Sequence, residues 1–404
     1  MSFVIDTIAT AVPEIAMTQS QLAQHAAAFA NGVAKSNHAA RLERIFTHAG
    51  VVKRHLIIAE NVLEPAQVVS AVIAVGGESG ADVEFSAHIN PQISFYPARL
   101  NENDYGPTTH SRMQRYKTEA LNLASCAVKR AFDESNVRPD DITQLITVSC
   151  TGFAAPGVDV GLIERFGLLP TVQRTNIGFM GCHGAINALH VANAFASAEP
   201  KSRILICCVE LCSLHMQYGP ETDKLIANAL FSDGAAAVIG HGNDSARNQR
   251  SSWHVVASGS CLIPDSRDDM TWSIGDHGYE MKLSPRVPHL IGKHLGPWLV
   301  DWLDAQGLSI DDIGAWAVHP GGPKVLDAVA DALDLPDKSL QHSRAVLAEY
   351  GNMSSATVLF ILDSLCKSRV GTIKCANSSP ISHPSPCIML AFGPGLVVEA
   401  ALLK

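Results

Sequence analysis

Short apolar runs bounded by glycine, proline or charge recur along the chain at 145–149, 203–210, 235–239, 255–258, 316–318, 387–391 and 396–400. Runs of that length with such borders predict buried strands. Longer helical patterns lie between them at 109–134, 184–198, 288–305 and 354–367. The alternation predicts an α/β layered fold with helices packed on sheets. Residues 76–103 show little periodicity and read as an irregular excursion between core elements.

A faint echo divides the chain. Leu230–Ile239 and Ala391–Ala400 both read Phe-x-x-Gly followed by a strand, and their phenylalanines, Phe231 and Phe392, are 161 residues apart. Upstream of each, a glycine precedes a polar residue that opens a small-residue helix, at Gly181-Cys182 and at Gly351-Asn352. Repetition in the same order predicts two similar halves, residues 1–242 and 243–404.

Composition narrows the function. The 404 residues carry a formal charge of −9, which gives no basic surface for nucleic acid. Asp6 and Pro13 break the first apolar stretch, no basic segment precedes it, and no run of ~18 uninterrupted apolar residues occurs. Neither a signal peptide nor a membrane span is expected, and the ten cysteines, with no Cys-x-x-Cys pair, read mostly as buried thiols of a cytoplasmic protein.

Three residues stand where chemistry is done. Cys182 sits on a glycine-flanked turn before a helix, where the helix dipole favours a thiolate. A buried cysteine at a helix start fits the local pattern equally well. His319 ends the apolar strand Ala315–Val318 and enters a Gly/Pro loop; a structural histidine is the alternative. Asn352 fits a helix N-cap. Together they make a set in which a thiolate attacks a thioester while an imidazole and an amide donate to the oxyanion. His183, adjacent to the thiol, reads as packing.

These residues lie in Gly-Phe-Met-Gly-Cys-His-Gly-Ala (178–185), Ala-Leu-Phe-Ser-Asp-Gly-Ala-Ala-Ala (229–237), Val-His-Pro-Gly-Gly-Pro (318–323), Glu-Tyr-Gly-Asn-Met-Ser-Ser-Ala (349–356) and Phe-Gly-Pro-Gly (392–395). In their order and spacing the chain resembles the type III polyketide synthases, the chalcone/stilbene-synthase-like branch of the thiolase superfamily. The resemblance implies an αβαβα fold of two similar halves with helices packed on two mixed sheets. It implies a homodimer that needs no metal or redox cofactor and uses acyl-CoA and malonyl-CoA as substrates. Cys182 would carry the acyl chain, and His319 with Asn352 would hold the malonyl thioester oxygen during decarboxylation. Repeated condensation and cyclisation to a pyrone or a resorcinol/phloroglucinol-type product would follow.

Further positions follow by motif. Phe231 matches an aromatic gatekeeper, or else is an ordinary core phenylalanine. Met281 stands where plant members have a second aromatic gate, Cys150, Cys212 and His215 where they have threonine, and Trp272 where they have a small residue. Ser354 is retained, and Phe392 heads a loop counted with the cavity. Gly321, Gly322 and Lys324 fall in the loop lining the coenzyme A tunnel. Arg41 and Arg44 resemble its basic entrance, with a solvated helix face as the alternative. The cavity set resembles bacterial alkylpyrone and alkylresorcinol synthases. It predicts a medium or long fatty acyl starter and two or three malonyl additions, although Trp272 should shorten part of the cavity. Pairing of Cys182 with His319 predicts a thiolate formed well below the ordinary pKa of about 8.5. Two rivals remain: an initiating 3-oxoacyl-[acyl-carrier-protein] synthase performing one condensation, and a non-catalytic acyl-CoA-binding homologue.

Overall fold

The computed structural model describes residues 2–30, 36–62, 90–93, 95–242, 253–373 and 386–404. Most of the irregular excursion expected at 76–103, and the junction expected at 242/243, therefore border on or lie outside the described residues. The strands are β1 (Phe3–Ala11), β2 (Ala16–Thr18), β3 (Lys53–His55), β4 (Ala59–Val62), β5 (Asn90–Ile93), β6 (Gln144–Ser149), β7 (Gln173–Gly178) and β8 (Arg203–Leu211). They continue with β9 (Asp233–Gly242), β10 (Trp253–Leu262), β11 (Met270–Gly275), β12 (Gly278–Leu283), β13 (Ala315–Val318), β14 (Cys387–Gly393) and β15 (Val397–Leu403). The helices are α1 (Gln19–Ala30), α2 (Ser36–Thr47), α3 (Thr109–Glu134), α4 (Val158–Phe166), α5 (Gly184–Ala198), α6 (Thr222–Leu230), α7 (Val287–Asp304), α8 (Pro323–Ala332), α9 (Gln341–Tyr350) and α10 (Thr357–Ile373).

Nine strands join in the order β13-β14-β15-β10-β1-β9-β8-β6-β7. The order is nearly symmetric about the β1–β10 pair. From β1 outward the neighbours are antiparallel β9, antiparallel β8 and parallel β6. From β10 outward they are antiparallel β15, antiparallel β14 and parallel β13. The two mixed sheets expected from the sequence are thus two wings joined edge to edge by the short β1–β10 ladder.

Alternation along each strand builds the layers. In β8, Leu205, Cys207 and Val209 face an outer core with α3, whereas Ile204, Ile206 and Cys208 face a middle core with α5 and α10. In β14, Cys387 and Met389 face that same middle core, and Ile388 and Leu390 face the core under α7 and α8. The result is helix, sheet, helix, sheet, helix. Both faces of the sheet are covered, so the strands carry the near-continuous apolar runs seen in the sequence. Asp6, the polar break in β1, is held by His241 Nδ1 at 2.9 Å and by Arg203 Nη1 at 3.4 Å.

α3 starts where expected because Thr108 caps it, its side chain accepting the Ser111 N–H. The hairpin β11–β12 pairs Trp272 with Met281.

Candidate active site

β7 delivers the thiol turn. Phe179 and Gly181 both take positive φ, 57° and 78°, which swings the chain from the strand into a short 3-10 turn, Gly181–His183, ahead of α5. A Cβ on Gly181 would stand 2.2 Å from Pro394 Cδ, so glycine is required for that approach. Cys150 Sγ accepts the Gly181 N–H at 3.0 Å and lies 3.4 Å from its carbonyl, pinning the turn. Cys182 itself lies deep in the protein, and its remaining accessible surface opens onto an internal chamber of about 50 Å³.

The second half of the sheet delivers the other two residues. His319 leaves β13 with its N–H donated to Leu390 O at 2.8 Å, and its ring is fully buried. Neither ring nitrogen has a hydrogen-bond partner among the described protein atoms. Asn352 is fixed by its backbone: its N–H donates to Leu230 O and its carbonyl accepts the Ser232 N–H, both at 2.9 Å, around a bridge to Phe231. Its Oδ1 accepts the Ser354 N–H at 2.8 Å, the capping-type bond the sequence allowed. The side chains of Asn352 and Ser354 both reach the Cys182 sulfur.

The electrostatics reverse one expectation. Burial pushes the Cys182 thiol up to about 12, and the nearby Glu210 charge adds to this; contacts from Ser354, Asn352 and its own N–H pull only part of the way back. No hydrogen bond joins Cys182 to His319. Burial and the neighbouring His183 depress the His319 imidazole to about 3, so it is neutral and presents one donor and one acceptor nitrogen. A resting thiolate–imidazolium pair is absent from this arrangement, because burial of both groups outweighs the dipole at the start of α5.

Glu210 was not singled out by sequence. It is fully buried on β8, accepting the Cys150 N–H at 2.9 Å and the Thr151 hydroxyl at 2.8 Å, with a further bond from the Ser355 hydroxyl. Burial raises its carboxyl to about 7 despite those donors. A single carboxylate inside the apolar run 204–211 was the available signal.

The remaining candidates divide. Cys150, Cys212, Phe231, Trp272, Met281 and Ser354 all line the chamber beside Cys182. His215 lines a second chamber, of about 170 Å³, which shares Cys212, Phe231, Trp272 and Met281 with the first. Phe392 does not face the chamber: the alternation of β14 turns it into the core under α7 and α8, and Pro394 takes its place on the wall. Arg44, Gly321, Gly322 and Lys324 line an open cleft of about 910 Å³ with His48 and Thr222. Arg41 is set back from that cleft and is bonded to the Thr222 hydroxyl.

Comparison with known proteins agrees with this picture. The model of the N-terminal domain of chalcone and stilbene synthases matches residues 96–244, and that of the C-terminal domain matches 254–404. A 1,3,6,8-tetrahydroxynaphthalene synthase of Streptomyces peucetius subsp. caesius is 38% identical over 290 residues, 71% of this chain and 74% of that protein. An alpha-pyrone synthesis polyketide synthase-like Pks18 of Mycobacterium tuberculosis is 33% identical over 296 residues, 73% of each. Among solved structures, PKS-I from the brown alga Ectocarpus siliculosus aligns with a TM-score of 0.83 at 28% identity, covering 100% of this chain and 98% of that one. The C-terminal type III polyketide synthase domain of Steely1, a type I/III hybrid from Dictyostelium, aligns with a TM-score of 0.80 at 26% identity, covering 100% and 99%. Three of the four carry polyketide synthase in their names and the fourth is a tetrahydroxynaphthalene synthase, which favours iterative condensation over a single-step initiating synthase or a non-catalytic homologue.

Proposed function

We propose, from the premise that the chain belongs to the chalcone and stilbene synthase family of type III polyketide synthases, that Cys182, His319 and Asn352 carry out its condensations. The protein is an acyltransferase that extends a starter with malonyl units and cyclises the product. In the first step Cys182 sulfur bonds to the acyl carbon as the coenzyme A C–S bond breaks, and the proton lost by Cys182 leaves on the coenzyme A thiol. Malonyl-CoA then enters along the cleft lined by Arg44 and Lys324, whose cations suit its phosphates. Loss of CO2 leaves an enolate, and its oxygen takes hydrogen bonds from the His319 ring and the Asn352 amide. The enolate carbon attacks the Cys182 thioester, the sulfur leaves, and the lengthened acyl-CoA returns for another round.

One observation carries this reading. His319 is a fully buried imidazole with two unpartnered ring nitrogens, while Asn352 spends its Oδ1 on Ser354 and keeps its amide hydrogens towards Cys182. Buried polar groups normally find partners, so an orphaned imidazole marks a place where a substrate atom completes the bonding. The test is CO2 release from malonyl-CoA. Cys182→Ala should retain it and form no polyketide, whereas His319→Ala and Asn352→Ala should each lose ~100-fold or more. An unchanged rate in His319→Ala would overturn the assignment.

We read residues 1–242 and 243–404 as the two halves, the first supplying Cys182 and the second His319 and Asn352; the near-symmetric strand order supports this. We also read the protein as a cytoplasmic homodimer requiring no metal or redox cofactor. The exposed edge strand β7 and the exposed Phe153, Phe179 and Met180 support self-association, which sedimentation of the purified chain would test. Among the described residues, no helix is long and apolar enough to cross a membrane.

A further inference from the structure

Arg54, on β3, is a fully buried cation that spends its side chain on one hydrogen bond. Its Nη1 donates to Phe231 O at 2.7 Å, while Nε and Nη2 have no partner among the described protein atoms. Asp233 does not pair with it by contact. That carboxylate is taken up by the N–H groups of Ile57 and Ser213, each at 2.7 Å, and by the Ser213 hydroxyl at 2.5 Å. The ring of Phe46 lies against the guanidinium, 5.9 Å from its centroid. Burial lowers the guanidinium to about 9, which leaves it charged at neutral pH. A charge so costly to bury directs attention to the one bond it makes.

That bond falls on a peptide of the site. The carbonyl of the Phe231–Ser232 peptide accepts from Arg54, and its N–H donates to Asn352 O at 2.9 Å. The next peptide continues the chain, with the Met353 N–H donated to Thr357 Oγ1 at 2.8 Å. A cation therefore heads a run of hydrogen-bonded peptide groups that polarise one another in a dry interior. The stem of the same arginine flanks the loop from the other side. Gly351 takes φ 72°, and a Cβ there would stand 2.9 Å from Arg54 Cγ and 3.0 Å from its Cδ. Arg54 lines neither the chamber at Cys182 nor the open cleft.

We infer that Arg54 is a positioning residue for Asn352: by holding the Phe231–Ser232 peptide and flanking Gly351, it aims the Asn352 amide at the space beside Cys182. The inference rests on the proposed role of Asn352 as an oxyanion donor. Arg54 acts only through the residues it holds, so its loss should slow the chemical step and spare substrate binding.

The experiment measures CO2 release from malonyl-CoA in the full-length Cys182→Ala protein, where decarboxylation is read apart from condensation. Adding Arg54→Met should lower kcat by ~10-fold or more and leave KM for malonyl-CoA within about 2-fold. Arg54→Lys, which keeps a charge and a donor, should recover most of the rate. Arg54→Gln, polar but uncharged and shorter, should resemble Arg54→Met and replaces it if that variant does not fold. In a protein that also carries Asn352→Ala, the change at Arg54 should cost no more than about 2-fold, because the residue it positions is gone. A folded Arg54→Met protein, or Arg54→Gln in its place, with undiminished kcat overturns the inference. So does a loss that repeats in full on top of Asn352→Ala, since general damage adds where positioning does not. Undiminished CO2 release in Asn352→Ala alone overturns the donor role itself, and the inference with it.

Discussion

Replacing Glu210 with glutamine should make the protein more tolerant of alkaline pH and its nucleophile easier to ionise. The wild-type carboxyl is fully buried and titrates near 7 against an ordinary 4.5. A carboxyl whose folded pKa is raised contributes stability that is complete below 4.5 and is lost as pH climbs through 7. A shift of that size corresponds to roughly 3 kcal/mol, most of which falls between pH 5 and pH 8. Glutamine is well shaped for the site. Its oxygen keeps the bonds from Cys150 N–H and the Thr151 hydroxyl and its amide donates to the Ser355 oxygen, while the bond the carboxylate takes from the Ser355 N–H is given up. Urea unfolding at pH 5 and pH 8 is the assay. The wild type should lose roughly 2–3 kcal/mol more than Glu210→Gln across that interval. Because the Glu210 charge also raises the Cys182 thiol, iodoacetamide alkylation of Glu210→Gln should shift to lower pH. Equal losses in the two proteins, with an unmoved alkylation profile, would mean that Glu210 ionises as an exposed carboxylate does, and the buried-network argument would be refuted.

Other consequences are as direct. In the wild type, iodoacetamide inactivation should keep accelerating well above pH 8.5, since burial holds Cys182 near 12; a midpoint below 7 would contradict the geometry. Gly181→Ala forces a Cβ against Pro394 and should slow acylation by ~100-fold through displacement of the thiol, an effect read by burst mass spectrometry. Thr108→Ala removes the cap of α3 and should lower unfolding stability by about 1 kcal/mol with kcat unchanged. Reversing charge at Arg44 and Lys324 together should raise KM for malonyl-CoA, most at low salt, and leave kcat near its original value.

Much of the interior was legible because it is apolar on both faces. The strands at 203–211 and 387–393 and the helices Thr109–Glu134 and Gly184–Ala198 follow from composition and borders alone. Strand β7 was not, since Gln173–Gly178 is a half-exposed edge with no apolar alternation. The central strand β1 was obscured by Asp6, whose partners His241 and Arg203 are more than 190 residues away. The hairpin carrying Trp272 and Met281 was missed although it was legible: Met270, Trp272 and Ile274, then Tyr279, Met281 and Leu283, alternate with polar or glycine positions at a period of two. At the site, the spacing of Cys182, His319 and Asn352 was readable, but their protonation was not. Desolvation depends on what packs around a group, and the chain neighbours of Cys182 pointed only to the dipole.

The symmetric wings also fix where positive potential gathers. α5 and α10 occupy corresponding places in the middle layer, each entered through a 3-10 turn, Gly181–His183 in one and Ser354–Ala356 in the other. Both turns border the one chamber at Cys182. A helix start carries roughly half an elementary charge in unpaired N–H groups, so two starts facing one space act as a nearly whole cation that never titrates. A neutral thiol gains little from such a field. An oxyanion that exists only while a bond is breaking gains most, whichever atom bears it. The near-symmetric arrangement of the two wings thus places a fixed charge at their seam, ready before any substrate arrives.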